Sequence, residues 1–279
     1  MGFAYKYCNA HGRDILTSLH LKITPPNQFN DPFEFTPHVV CSDPAGRIKR
    51  FFKDKTNLRE LYIAKKNAGF PGSFREFRKQ FRPEMPRIID SLAPDVPKIS
   101  RETQPGYLDH ISKTYGVLCM SRRRDSLLMW GHYCDRYQGL VIGFDDQHET
   151  FRGIDGLHPV KYVRQRVLWD PAWKQGSVDE RNFENQIVFS KNEEWSYEEE
   201  LRQLFLLARL NQKQSDGHLI YFLPIQAEAI VSVTVGPRCS KELYMAVQTA
   251  LRAPHFRHVE FDQAELHETE FKLNFIAAT

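Results

Sequence analysis

The chain of 279 residues carries 38 Lys or Arg against 35 Asp or Glu, with 41% hydrophobic, 13% aromatic and 26% charged residues. A chain of that size and composition buries a core without disulfides or a structural metal, which excludes wholesale disorder. There is no run of about 18 apolar residues, no signal-peptide zoning at the N-terminus and no C-x-x-C pair among Cys8, Cys41, Cys119, Cys134 and Cys239, so a cytoplasmic, membrane-free chain with reduced thiols is expected.

In chain order, the first 35 residues predict a strand near Ala4–Cys8, a short helix near Asp14–Leu19 and a strand near Leu21–Thr24, closed by Pro25-Pro26-Asn27. From about Gly46 to Ser112 the pattern turns helical, amphipathic and basic. Phe51, Phe52, Leu58, Leu61 and Tyr62 mark one apolar face, and Phe74, Phe77 and Phe81 mark the next. Pro83 and Pro86 are expected to interrupt that second segment. Between Arg47 and Arg87 there are 13 Lys or Arg against 4 Asp or Glu. The block can touch nucleic acid, or it is a solvated helical surface balanced by the acidic tail from Glu260 to Glu270.

Beyond residue 112, strands are predicted at Gly116–Met120, Leu140–Phe144, Pro159–Val163, Leu204–Leu207, Leu219–Leu223, Ile230–Val235 and Phe271–Ile276. Helical signals fall at Asp125–Tyr137, Asp179–Ser190 and Lys241–Arg252. Strands and helices mix without a regular βαβ rhythm, so the expected fold is α+β: a mixed, mostly antiparallel sheet in a single domain of 1–279, with a basic helical insertion at about 46–112.

Three motifs carry chemistry. In Asn30-Asp31-Pro32-Phe33-Glu34, Pro32 forces a turn; Phe33 can bury while Asp31 and Glu34 stay available for a ribose, a base edge or a cation. The structural alternative is that Asn30 and Asp31 only bond the turn's own amides. In Met129-Trp130-Gly131-His132-Tyr133, an expected helix capped by Asp125 or Ser126 aligns Trp130, Tyr133 and Tyr137 in one stripe. Gly131 costs about 1 kcal/mol there, which a closely approaching backbone or ligand would explain. His132 is a ligand contact or a core histidine, and Arg122, Arg123 and Arg124 before the helix are phosphate candidates. The third motif runs from Lys191 to Arg202. If extended, it puts Glu198, Glu200 and Arg202 on one face. If helical, Ser196 with Glu199 is a capping box and Glu198 with Arg202 an i, i+4 pair.

Together, and with Tyr5-Lys6-Tyr7 at the start, these motifs resemble an uncharacterised bacterial domain-of-unknown-function family over roughly Tyr5 to Pro237. More loosely, the order of elements resembles ADP-ribosyltransferase-like folds, including those of toxins and phage-defence proteins. That resemblance implies NAD as co-substrate. It also implies a first-strand cation, whose place Lys6 could take, a middle aromatic or Ser, which Ser121 could fit, and a Glu-x-Glu at Glu198 and Glu200. Glu200 would grip the nicotinamide ribose and stabilise an oxocarbenium-like transition state. The first strand departs from the pattern, having Lys6 where such folds carry His or Arg.

The expected function is therefore an ADP-ribosyltransferase or NAD glycohydrolase acting through Glu200 and Glu198. Lys6, Tyr7, Asn30, Asp31, Ser121, Arg122, Arg124, Trp130, His132 and Tyr133 would surround a nucleotide or dinucleotide, with a nucleic acid or protein acceptor. One alternative is a metal-dependent nuclease or phosphodiesterase, with Asp31, Glu34, Glu198 and Glu200 collecting Mg²⁺ and Lys191 or Arg202 on phosphate. The other is a non-catalytic nucleotide-binding or sensor module.

Overall fold

The computed structural model describes residues 2–96, 104–152, 156–170, 178–215 and 217–278. Its strands are β1 (Phe3–Cys8), β2 (His20–Ile23), β3 (His38–Val39), β4 (Tyr115–Ser121), β5 (Leu140–Asp145), β6 (His158–Pro159), β7 (Lys161–Val163), β8 (Leu168–Trp169), β9 (Ser190–Asn192), β10 (Glu200–Leu206), β11 (Asn211–Ser215), β12 (His218–Pro224), β13 (Ile230–Val235), β14 (Glu260–Leu266) and β15 (Leu273–Ala277). Its α-helices are α1 (Arg13–Ser18), α2 (Pro44–Lys53), α3 (Lys55–Asn67), α4 (Phe74–Leu92), α5 (Gln104–Thr114), α6 (Leu127–Tyr133), α7 (Val178–Phe189) and α8 (Lys241–Leu251). The chain divides into two compact units, one formed by Met1–Phe35, Leu108–Gln165 and Val188–Thr279, the other by Thr36–Tyr107 and Arg166–Ile187.

The first unit is built on an eight-stranded sheet in the order β15-β14-β13-β5-β1-β4-β10-β6. Every neighbouring pair is antiparallel except β13 and β14, which run parallel across the α8 crossover. This is the mixed, mostly antiparallel sheet that the strand pattern leads one to expect. Alternation along the strands sorts the side chains between two apolar clusters. Ile142 of β5 joins Leu118, Met120, Phe144 and Val233, packed with Leu16 of α1 and Leu243 and Val247 of α8. Val141, one residue earlier, joins Tyr7, Met129 and Trp130. The segment read as an acidic tail is instead β14 and its turn into β15. Ala264 there is fully buried, and pairing with β13 holds the segment in the sheet in spite of its glutamates.

The second unit gathers α2, α3 and α4, with β3 and β8 paired in parallel. Each helix starts on a side-chain cap: Asp43 accepts from Gly46 N (2.8 Å), Asp54 from Thr56 N (2.8 Å), and Ser73 with Glu76 forms a capping box. Ile48 and Phe52 of α2 bury against Phe81, Met85, Ile88 and Ile89 of α4. That packing corrects one expectation. Pro83 and Pro86 do not interrupt α4, which runs unbroken through both. The amphipathic face buries enough apolar surface, at ~25 cal/mol per Å², to offset the lost amide bonds. The expected insertion at 46–112 falls mostly in this unit, and its stretch 97–103 lies outside the described residues.

Candidate functional site

Several of the candidate residues of the first unit meet at one cleft of about 270 Å³, lined by β1, β4 and β10 and by the loop that follows Pro25. The third motif settles as two pieces. Residues Glu193–Glu198 form a 3-10 turn, Glu199 adopts a left-handed conformation (φ 42°), and β10 starts at Glu200. A left-handed glutamate costs roughly 1–2 kcal/mol. It sends the exposed Glu199 side chain outward while Glu198 and Glu200 both turn into the cleft, 2% and 5% exposed. The helical alternative fails: Arg202 pairs with Glu200 two residues back, not with Glu198 four back. Neighbouring backbone pins the start of the strand, as Glu200 N donates to Tyr162 Oη (2.8 Å) and Val160 N donates to Glu200 O (2.8 Å).

Five ionisable side chains form a buried network. Lys191 Nζ lies 2.6 Å from Glu198 Oε2, 3.3 Å from Glu200 Oε2 and 3.5 Å from Glu34 Oε1. Arg202, wholly buried, holds Glu200 with Nε (2.8 Å) and Nη2 (3.0 Å) and pairs with Glu34 through Nη2. The guanidinium also lies 5.4 Å and 5.5 Å from the ring centroids of Phe29 and Phe35. Lys191 similarly lies 4.7 Å from the Trp195 ring. These are cation–π contacts that help offset desolvation of the two cations. Three carboxylates against two cations leave one negative charge in excess.

The titration of the three acids divides accordingly. Burial pushes Glu34 up, more than Arg202 and Lys191 pull it down. Burial also raises Glu198, against Lys191 and the Tyr133 hydroxyl, which donates to its Oε1 at 2.7 Å. Glu200 goes the other way. Its burial is outweighed by Arg202 and Lys191, which hold it at about 2. The excess charge thus falls on Glu34 and Glu198, the two acids that burial raises, while Arg202 and Lys191 keep Glu200 low. Glu34 Oε1 accepts no hydrogen bond, a buried acceptor on the wall of the cleft.

The Asn-Asp-Pro-Phe-Glu loop is inverted relative to its expected exposure. Phe33 is 62% exposed, whereas Asp31 and Glu34 are buried. Asp31 Oδ1 accepts from Phe33 N (2.9 Å), and Glu34 N donates to Asp31 O (3.1 Å). The turn closes on Asp31, and the ion pair with Arg202 draws Glu34 inward and leaves Phe33 outside. Phe35 then sits buried in a left-handed conformation (φ 55°) with its ring 5.1 Å from Phe29. Strain stored at this junction, with another left-handed residue at Glu199, is the kind that marks functional sites.

Helix α6 is shorter than expected. Ser126 caps it, accepting from Met129 N (3.4 Å), and it ends at Tyr133 because Asp135, Arg136 and Tyr137 are all left-handed. The aromatic stripe therefore breaks. Tyr133 faces the cleft, while Tyr137 turns back to donate to Leu127 O (2.8 Å). Trp130 is core, fully buried, donating Nε1–H to Arg124 O (2.8 Å). Gly131 is not crowded: a Cβ there would meet only Tyr137 Cε2, at 3.9 Å. No close approach accounts for it, so Gly131→Ala is expected to stabilise the fold by about 0.5–1 kcal/mol, read as a higher urea midpoint. An unchanged or lower midpoint would mean that the glycine has a role the free chain does not display.

Of the residues singled out in the sequence, Lys6, Tyr7, Asn30, Tyr133, Glu198 and Glu200 line the cleft. Lys6 Nζ donates to Cys119 O (2.8 Å), and among the described residues it makes no ion pair. Others lie off the cleft wall. Ser121 is fully buried, donating to Glu198 O and accepting from Arg123 N (3.0 Å), so it positions the Glu198 turn. Arg122 pairs with Asp146, Arg123 with Asp125, and Arg124 with Asp262, the last also stacking on Phe275 at 4.3 Å. His132 is exposed, its ring 6.3 Å from that of Tyr197. The network itself was the part underweighted from the sequence. Glu34, Lys191 and Arg202 all lay within the motifs, but nothing in their spacing says that positions 34, 191 and 202 meet.

Searched against protein-family models, curated proteins and solved structures, the chain finds no match in any of the three.

Proposed function

We propose that this cleft is the active site of an ADP-ribosyltransferase-like enzyme that cleaves the nicotinamide–ribose bond of NAD. The observation that carries this reading is the unequal setting of two cleft carboxylates two residues apart: Arg202 and Lys191 both hold Glu200, whereas Glu198 meets Lys191 and the Tyr133 hydroxyl. Glu200 is held ionised at about 2 by Arg202 and Lys191, while Glu198 is raised by burial. Paired acids whose surroundings separate their protonation states are the usual sign of divided acid–base and electrostatic roles. In the reaction, the fixed negative charge of Glu200 would stabilise positive charge developing on the ribose as nicotinamide departs. Glu198, within hydrogen-bond reach of Tyr133, would orient a ribose hydroxyl and accept the proton of the attacking water or acceptor.

Supporting features are the Glu-x-Glu at the start of β10, the aromatic walls Tyr5, Tyr7 and Phe29, and the ammonium of Lys6, which donates to Cys119 O and makes no ion pair among the described residues. A cleft of about 270 Å³ lies just below the ~300–1,000 Å³ of typical ligand pockets. It would enclose the nicotinamide riboside end and leave the adenylate half of the dinucleotide outside. The chemistry of the donor set argues against the metal-dependent alternative. Lys191 Nζ already sits between Glu34, Glu198 and Glu200, where a divalent cation would have to lie.

The test is the full chain incubated with NAD labelled in the nicotinamide ring, with and without cell extract as a source of acceptors. Free nicotinamide is expected from wild type, and Glu200→Gln should reduce its release by about 10²–10³-fold, the scale of losing one electrostatic stabiliser. Release from Glu200→Gln equal to wild type, or none from wild type under any condition, would overturn the assignment.

A further inference from the structure

The second unit carries a site of its own. A groove of about 870 Å³ is formed on α2, α3 and α4, floored by Phe52, Leu58, Phe81 and Met85 and bordered by Phe74. Five cations rim it: Lys53, Arg75, Arg78, Lys79 and Arg82, with no acidic residue among its lining. Among the described residues, none of the five makes an ion pair. Two of the acids between Arg47 and Arg87 are withdrawn into helix caps, Asp54 onto Thr56 and Asn57 and Glu76 onto Ser73. Arg75, Arg78, Lys79 and Arg82 follow the i, i+3, i+4, i+7 spacing of a single helix face, a row about 10 Å long at 1.5 Å per residue. Like charges crowded over an apolar groove repel one another, and a polyanion relieves that repulsion.

We propose that this groove binds single-stranded nucleic acid, with phosphates along the α4 row and one or two bases in the apolar floor. The groove chooses between strands. A duplex would offer the row its phosphates but keep its bases stacked away, leaving Phe74 and the floor unfilled. An unpaired strand can place a base on an aromatic ring, and the sequence tolerance of stacking matches a site with few hydrogen-bonding neutral side chains. The guanidinium of Arg78 lies 6.0 Å from the Phe74 ring centroid, so a base can stack beside a cation that also meets its phosphate. A poly-glutamate chain would satisfy the charges but has no aromatic ring to stack on Phe74. The inference is independent of the NAD reading, because none of these residues lines the first unit's cleft.

The experiment is fluorescence polarisation of the full chain with fluorescein-labelled 12-nucleotide oligo(U) and oligo(dT), repeated from 50 to 300 mM NaCl. Binding of either supports the proposal, and a preference between them reports on the 2′-hydroxyl. With four to five phosphates neutralised, log K against log salt should fall with a slope of about −3. Arg78→Glu with Arg82→Glu should weaken binding more than tenfold and flatten the slope by about 1.4. Phe74→Leu should weaken it about tenfold at unchanged slope, since it removes stacking and no charge. Both variants alter groove residues on α4, so helical content by circular dichroism is recorded for each. A fold-neutral Lys79→Gln, expected to flatten the slope by about 0.7, stands in if either loses helix. Tighter binding of a 12-base-pair duplex, equal competition by poly-glutamate of matched charge, or no binding at 50 mM salt would overturn the proposal.

Discussion

Arg202→Met is expected to cost about 3–5 kcal/mol of stability, the largest single effect in the chain. The guanidinium is wholly buried and holds two buried carboxylates, Glu34 and Glu200. Removing it strands both. Both are nearly buried on the cleft wall, and Lys191 alone cannot neutralise three acids. A loss of that size is a large part of the ~5–15 kcal/mol that keeps a domain folded. Arg202→Lys should recover little, because an ammonium cannot supply the planar fork that meets Glu200 through Nε and Nη2 together. The check is urea unfolding of the single variants alongside Glu34→Gln and Glu200→Gln backgrounds. With both acids neutralised, Arg202→Met should cost much less than it does alone, so the coupling is positive and large. Equal costs in both backgrounds would show that Arg202 contributes through packing and not through charge.

Lys191→Met comes next, and its signature is a steeper loss of stability with rising pH than the wild type shows. In the native chain, Glu200 is depressed to about 2. Its stabilising contribution is therefore present above the unfolded carboxylate pKa of ~4.3 and is lost as pH falls through that value toward 2. Glu34 and Glu198 are already raised, and removing the ammonium raises them further. A group whose folded pKa lies above its unfolded value contributes stability that is complete below ~4.3 and disappears as pH rises through the folded pKa. The variant should thus be about 3–5 kcal/mol less stable than wild type at pH 8 and recover most of that by pH 5. Unfolding midpoints measured from pH 4.5 to 8.5 decide it. A deficit independent of pH would mean that Lys191 acts through its stem and the Trp195 ring instead of its charge.

These two experiments bear on function as well as on stability. The charge pattern that makes Arg202 and Lys191 indispensable is also what keeps Glu200 ionised beside a protonatable Glu198. An apolar core of the same volume would be as stable or more so. On the proposed reading, the buried five-member ionic network on the cleft wall serves the chemistry and not the folding.

Local pattern decided much of this protein. The short apolar, β-branched runs Leu140–Phe144 and Ile230–Val235 predict strands that are present, because runs of that length suit a buried strand and are too short for a helix. The basic, Phe-rich run predicts helices that are present, and Ser126 caps α6 as its residue type suggests. Where local and tertiary forces disagree, the sequence alone misleads. Pro83 and Pro86 read as breaks, yet α4 continues because its apolar face is buried. Tyr137 reads as one more helical turn, yet three left-handed residues end α6 before it. Phe33 and Glu34 exchange places with respect to water, since a buried guanidinium attracts a carboxylate more strongly than the core attracts one phenyl ring.

The site divides in the same way. The Asn-Asp-Pro-Phe-Glu loop, the Trp-Gly-His-Tyr helix and the Glu198-x-Glu200 pair can each be picked out as candidates from residue types in short motifs. That Glu34 meets Arg202 across 168 positions of chain, and that Lys191 stands among three carboxylates, depends on the tertiary fold bringing the loop after Pro25 and β9, itself paired with β7, to the start of β10. Only that arrangement sets the distances, and with them the desolvation and Coulomb energies that separate the two glutamates.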